Sequence, residues 1–295
     1  MKLINQFLSS LKTELVAVDA TQVGKWWDFK NLNSPFSRLY LITNGKGYIT
    51  HHNQRYELSA GILHLVPPFT FHTIECEDSM DHYFLHFVCE LTHGFDLFNM
   101  SMYQYNLRLK DPERYLKLFR RLIDLNPDRG IIDANYMNFD NYVRIYNSDY
   151  QIRESELLAN SVESDAIIKL LLCPILRTQS DINAHLEHFN EKFKDVFAYI
   201  DTNISRNIHI DELAKIVHQN PTYFSDRFNE IMGMRPTQYI MKRRVELAQT
   251  FLMDSSKSLS EIAFLTGFCD LPHFSKTFTK RLGVTPTKYR QFFYR

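Results

Sequence analysis

Two groups of side chains near the C-terminus have the types and spacing needed to read base edges in a nucleic-acid groove. Thr222, Ser225, Asp226 and Asn229 recur at the three- and four-residue steps of one helix face, and Pro272, His273 and Lys276 follow about fifty residues later. Hydroxyl, amide, carboxylate, imidazole and ammonium groups between them can donate to or accept from any base. A cationic group suits phosphate oxygens: Lys242, Arg243 and Arg244 in one run, then Lys280, Arg281 and Arg290. A separate set in the N-terminal half, Arg38, Tyr40, His64 and Tyr83, offers polar hooks for a small molecule in an otherwise apolar pocket.

The elements that position the C-terminal groups come from an internal repeat. Ile210-Asp211-Glu212-Leu213-Ala214 matches Leu259-Ser260-Glu261-Ile262-Ala263 at an offset of 49. Phe224-Ser225, Phe228, Gly233, Pro236 and Tyr239 match Phe274-Ser275, Phe278, Gly283, Pro286 and Tyr289 at an offset of 50. One residue has therefore been inserted within 266–270, and an insertion is tolerated in a turn but scrambles the faces of a helix. Each unit reads as helix, turn, helix, over about 209–233 and 258–283. Asn220-Pro221 and Asp270 cap the second helices, and Gly267 can take the left-handed conformation that ends a first helix. Phe224, Phe228 and Ile231, like Phe274, Phe278 and Leu282, form the apolar back that leaves the polar groups in front. Residues 237–252 lack Gly and Pro and predict one connecting helix, about 24 Å long.

The remaining chain reads differently. A length of 295 residues with 44% hydrophobic content predicts two domains, 1–178 and 185–295, with 179–184 as the polar linker. Zero net charge hides an asymmetry: residues 191–295 hold 16 Lys and Arg against 11 Asp and Glu, so the tail is basic and the rest acidic. The front of the first unit runs against that trend, with Lys215 and Arg227 facing Asp211, Glu212, Asp226 and Glu230. Cys76, Cys89, Cys173 and Cys269 are scattered without a Cys-x-x-Cys pair, which predicts reduced thiols. No apolar run reaches membrane length, so a cytoplasmic chain without membrane contact is expected.

Between 26 and 90 the pattern is short strands and turns. A strand at 38–43 ends at Asn44-Gly45-Lys46-Gly47, a hairpin signal, and 48–51 returns. Strands at 56–58, 62–66, 71–74 and 82–90 follow at the spacing of a small barrel. Asp111-Pro112 opens a helix, 128–164 shows little periodicity, and 165–177 is apolar on more than one face. That last helix is the expected dimer contact. Gly61, Pro67 and His72 resemble the second half of a metal-binding cupin signature. The first half fails, because adjacent His51 and His52 would point to opposite strand faces and Phe69 stands for the motif glycine. No metal or other cofactor is expected, and His64, His72, His82 and His86 read as hydrogen-bonded strand residues.

The segment 189–289 resembles the arabinose-operon regulator (AraC/XylS) family of bacterial transcription factors. Ile262-Ala263, Gly267-Phe268, Asp270, Phe274-Ser275, Phe278, Gly283, Thr285-Pro286 and Tyr289-Arg290 carry the likeness. Pro272 departs from it, standing where longer polar side chains are common. The resemblance implies a cytoplasmic regulator, often dimeric, with a cupin-like barrel that binds a small molecule. The expectation is thus a two-domain, non-enzymatic activator of transcription with partners double-stranded DNA, an unidentified effector, a second copy through 165–177, and RNA polymerase. Two alternatives are a cupin-type metal enzyme fused to a DNA-binding tail, and a regulator whose N-terminal half only dimerises or binds a protein.

Overall fold

The computed structural model describes residues 11–91, 95–99, 103–130, 154–178, 191–253 and 256–291, which divide into a strand-rich unit and a helical unit. The strands are β1 (Lys12–Gly24), β2 (Phe29–Leu32), β3 (Ser37–His51), β4 (Gln54–Ser59), β5 (Ile62–Val66), β6 (His72–Glu75), β7 (Ser79–Leu91), β8 (Phe95–Asp96) and β9 (Asn106–Arg108). One antiparallel sheet runs β1-β7-β3-β5-β9. The second half of β3 pairs instead with β4 and β6, and β2 lies beyond β6. A cupin-like barrel results, as the alternating pattern predicts.

The expected hairpin at Asn44-Gly45 is not there. β3 runs straight through it for fifteen residues, with a register shift against β7 between Ile42 and Asn44. Gly45 has φ +73°, and a Cβ on it would lie 2.1 Å from the Ser79 carbonyl oxygen. The glycine thus makes a bulged corner where the strand passes from one sheet to the other. The hairpin comes later, at His52 and Asn53, whose φ values of +50° and +60° fit the type I′ turn. Phe69 holds φ +56°, a left-handed conformation that suits the glycine of the cupin signature better than a bulky side chain. The thirteen-residue β1 lies upstream of the region where strands are expected.

Two helices complete this unit. α1 (Pro112–Leu125) begins as predicted, with the Asp111 side chain accepting from the Arg114 backbone N–H at 3.3 Å. α2 (Glu154–Leu176) starts eleven residues before 165. Its Ile167, Ile168, Leu171, Leu172 and Ile175 are buried within their own unit, where α2 packs on β1 and α1. Thr13 Oγ1 donates to Asp165 Oδ1, and Arg121 grips Glu163 with two bonds of 2.6 and 2.8 Å. Most of the 165–177 surface expected to meet a second copy is therefore spent internally. Leu158, Val162 and Leu170 form the exposed apolar side instead. The linker 179–184 and most of 128–164 lie outside the described residues.

The helical unit contains α3 (Glu191–Thr202), α4 (Ile210–Ile216), α5 (Pro221–Met232), α6 (Pro236–Leu252), α7 (Leu259–Leu265), α8 (Leu271–Leu282) and α9 (Pro286–Gln291). The seventeen residues of α6 are the predicted connecting helix. Each half has its own aromatic core. Phe193, Phe197, Phe224, Phe228 and Tyr239 touch ring to ring in one, and Phe268, Phe274, Phe278 and Tyr289 in the other. The repeat pairs 224 with 274, 228 with 278 and 239 with 289, so the repeated aromatics are the core positions. Leu282 is only partly buried, and the Ile231 side chain lies outside those described. No helix among the described residues is long and apolar enough to cross a membrane.

Candidate nucleic-acid interface and barrel interior

Matching caps set the two helix-turn-helix units in the same form. In the first unit the backbone N–H of His209 donates to Glu212 Oε1 at 3.1 Å, and in the second that of Ser258 donates to Glu261 Oε2 at 2.7 Å. The repeated glutamates are thus capping-box residues at the starts of α4 and α7. Asn220 and Asp270 accept from the backbone N–H of Tyr223 and His273 at 2.8 and 2.7 Å and cap α5 and α8. Gly233 and Gly283 end those helices with φ +66° and +73°. At the turn the chain bonds Gln219 N–H to Ala214 O and Phe268 N–H to Ala263 O, both at 2.9 Å. The residues before them, His218 and Gly267, both have positive φ. The equivalence at offset 49 therefore holds through Phe268, and the inserted residue is Cys269.

These frames leave defined fronts. On α5, Thr222, Asp226 and Asn229 are exposed and Ser225 is half-buried. On α8, Pro272, His273 and Lys276 are exposed. His273 is steadied by Cys269 Sγ, 3.2 Å from its Nδ1, and by an edge contact with Phe268. Asp226 pairs with Arg235 at 3.2 Å. Tyr223, 53% exposed, lies on the same front and was missed among the polar groups. The offset of 50 would have found it, since it is the counterpart of His273.

The cationic group divides. Lys280 and Arg281 are exposed near the C-terminal end of α8, open to phosphate. Arg243 is not a free grip: its Nε lies 3.3 Å from Asp201 Oδ1 and its Nη1 2.8 Å from Glu246 Oε2, with only 14% of the side chain exposed. These two carboxylates hold the guanidinium's proton more firmly than usual against the opposing effect of burial. Lys242 also leans on Glu246, at 3.6 Å. Arg244 is buried and donates to the carbonyls of Ile204 and Arg206 at 3.2 and 2.6 Å. The run is therefore not a free basic face, because consecutive helix residues fan around the axis and here Arg243 and Arg244 meet acidic and carbonyl groups of their own unit. Arg290 likewise donates to the Lys257 carbonyl at 2.6 Å. A Cβ on Gly267 would sit 2.2 Å from the Ile204 carbonyl oxygen, so the second turn presses on the loop that Arg244 clamps. Both units are thereby locked to α6.

The barrel interior is set by strand alternation. Arg38, Tyr40, His64, His82, Phe84 and His86 share one sheet face through the registers Arg38↔His86, Tyr40↔His64 and Tyr40↔Phe84, while His51 and His72 pair on the other sheet. All are almost fully buried. Arg38 bonds Ser34 Oγ at 3.2 Å and lies over Phe36. Three of the four expected hooks converge here. Tyr83 does not, because it alternates with His82 and Phe84; its ring packs on Phe119, and its hydroxyl accepts from Arg120 Nε at 3.3 Å.

The reading of hydrogen-bonded strand residues holds for His64 and for one nitrogen of His72, and His82 departs from it. His64 Nδ1 meets Asn106 Oδ1 at 3.0 Å and His72 Nδ1 meets the Thr70 carbonyl at 3.0 Å. Among the described residues neither ring nitrogen of His82 has a hydrogen-bond partner, nor does His72 Nε2. Trp27 and Tyr40 flank His82 at 5.7 and 5.5 Å. Burial, reinforced by nearby charge, pushes His51, His64 and His72 down to about 3. Burial takes His82 to about 4. His51 and His52 do not point apart, since the left-handed His52 brings the two Nδ1 atoms to 2.8 Å. Among the described residues no group of three or more His, Cys, Asp or Glu is placed to hold a metal ion.

Comparison with known proteins accords with this geometry. A model described as an AraC-like ligand binding domain matches residues 20–135, and one described as a helix-turn-helix domain matches 213–291. The chain is 32% identical over 146 residues to the probable transcriptional regulator LumQ of Photobacterium leiognathi, covering 47% of this chain and 58% of that one. It is 32% identical over 108 residues to the bifunctional transcriptional activator/DNA repair enzyme AdaA of Bacillus subtilis, covering 35% and 51%. The chain thus spans about half the length of these curated relatives. The crystal structure of ToxT from Vibrio cholerae shares the fold over 97% of this chain and 99% of its own, with 12% identity and a TM-score of 0.50. The two family models together cover well over half of the sequence, one on the barrel and one on the paired helix-turn-helix units, and the chain belongs to the AraC family of transcriptional regulators.

Proposed function

We propose that this protein is a sequence-specific DNA-binding activator of transcription, without enzymatic activity, controlled by a small molecule held in its barrel. The observation that carries the DNA reading is the pair of polar helix fronts, Thr222, Ser225, Asp226 and Asn229 on α5 and Pro272, His273 and Lys276 on α8. Each is held by its own aromatic core and by matched caps. Lys280 and Arg281 supply phosphate contacts. The domain limits follow as 1–178 for effector binding and 185–295 for DNA.

The effector reading is supported by buried nitrogens of His72 and His82 that have no hydrogen-bond partner among the described residues, with the rings of Trp27 and Tyr40 beside His82. Leaving such groups unsatisfied costs about 1–3 kcal/mol each, which a ligand's polar atoms would recover. Arg38, Tyr40 and His64 remain its hooks, joined by His72 and His82. The protein acts in the cytoplasm as a homodimer, with Leu158, Val162 and Leu170 of α2 as the contact, and RNA polymerase is its further partner.

The test compares the full chain with a fragment of residues 187–295. The fragment binds DNA weakly, as a monomer and with steep salt dependence, whereas the full chain gains affinity on paired sites. A full chain that sediments as a monomer at micromolar concentration and gains nothing over the fragment refutes the dimer. Mapping bound DNA in the native genome identifies the controlled genes and so the effector's class. Stoichiometric metal in purified protein, with turnover of a substrate, would favour the enzyme alternative.

A further inference from the structure

The two recognition helices carry opposite charge at matched positions. The offset of 50 places Asp226 against Lys276 and Glu230 against Lys280, and all four are exposed. DNA repels an acid from every phosphate, so α5 cannot owe its place in a groove to general electrostatic attraction. An acid there has to be matched by something that donates. Along the major-groove edge, guanine N7 and O6, adenine N7 and thymine O4 all accept, and cytosine offers its N4 amino donor without an acceptor beside it on the same base.

Asp226 is built to be available for that role. It lies one helical turn from Thr222 and three residues from Asn229, midway along the front, with 58% of its side chain exposed. Its counter-ion is Arg235, at the N-cap of α6, itself 59% exposed. Such an exposed ion pair is weak and screened by solvent, so a better partner on the duplex opens it at little cost.

Resting on the DNA-reading function proposed above, we propose that Asp226 is a specificity-determining residue. Its carboxylate accepts from the N4 amino group of one cytosine and bars other bases at that position by repulsion. Arg235 neutralises it in the free chain and turns to a neighbouring phosphate in the complex. α8, with Lys280 and Arg281 at its C-terminal end, supplies the grip, and α5 supplies the rejection of wrong sequences.

The experiment uses the full chain. Wild-type protein selects duplexes from a randomised pool, and each base pair of the winner is then changed singly and measured in competition with random duplex. At one G·C pair under α5 the wild type loses about tenfold or more on substitution, whereas Asp226→Ala discriminates there by less than about twofold and binds random duplex more tightly. Asp226→Asn shifts the preferred base at that position from cytosine towards adenine, whose N6 and N7 suit an amide. Because Asp226 is exposed, both variants melt with the wild type. A base-by-base profile in the variants that parallels the wild type, or an equal change on selected and random duplex, overturns the assignment. A wild-type chain that selects no sequence at all takes down the underlying DNA-reading function, and this assignment with it.

Discussion

Replacing Arg243 with alanine removes the cation between Asp201 of α3 and Glu246 of α6. The three side chains are 14%, 20% and 4% exposed, so the Glu246 carboxylate is left almost fully buried, with Lys242, at 3.6 Å, its remaining cation among the described residues. Breaking a buried pair in this way costs about 3–5 kcal/mol, mostly the desolvation of the charge left behind. Against a domain stability of about 5–15 kcal/mol, that is a large fraction. Both tryptophans, Trp26 and Trp27, belong to the strand-rich unit, so their fluorescence reports that unit separately from the helical one. In urea, Arg243→Ala moves the circular-dichroism transition of the helical unit to lower denaturant and leaves the tryptophan transition in place. The triple variant Arg243→Met, Glu246→Leu and Asp201→Asn recovers much of the loss, since it leaves neither carboxylate of the cluster stranded without its cation. An Arg243→Ala protein that unfolds with the wild type, yet shows a salt slope of DNA binding lower by about one unit, would refute the reasoning and return Arg243 to the phosphate contacts.

Three further outcomes are expected. Phe274, fully buried against Phe268 and Phe278, loses about 3–5 kcal/mol of stability on replacement by alanine, with DNA binding lost through unfolding of the second unit; unchanged helical content in the variant contradicts this. Lys276→Ala weakens the best site more than random DNA, by about 1–3 kcal/mol if it meets a base, and equal losses in competition binding would make it a phosphate contact. The barrel is acid-labile: His51, His64 and His72 bind protons near 3 when folded and near 6.5 when unfolded, so the unfolded chain takes up more protons between those values. Their contribution is fully present above about 6.5 and falls by up to about 1.4 kcal/mol per pH unit for each histidine as pH drops towards 3, a slope that tryptophan-monitored urea titrations at several pH values measure.

The helical unit was legible because its information is local. Caps, left-handed glycines and aromatics at i and i+4 act within a few residues, and the sequence states them twice, so Asn220 with Asp270 and Phe228 with Phe278 check each other. The change of offset even located the turn, and the structure narrowed it to Cys269. Tyr223 escaped because an aromatic on a helix reads as core until the repeat is applied to it as well.

What residues alone determined about this protein is therefore the repeated helix-turn-helix frame, its polar fronts and the strand-rich texture ahead of it, all written in short-range patterns. Tertiary structure decided the rest. Gly45 reads as a hairpin because a tight turn and a bulged corner ask the same left-handed backbone of glycine, and only pairing with β7 on one side and β4 on the other tells them apart. Lys242, Arg243 and Arg244 read as a basic face because the acid that claims Arg243 most remotely, Asp201, lies 42 residues away in sequence. Tyr83 was exchanged for His82 in the barrel because a strand's two faces differ by one residue, and which face turns inward is fixed by partners on other strands rather than by the strand itself.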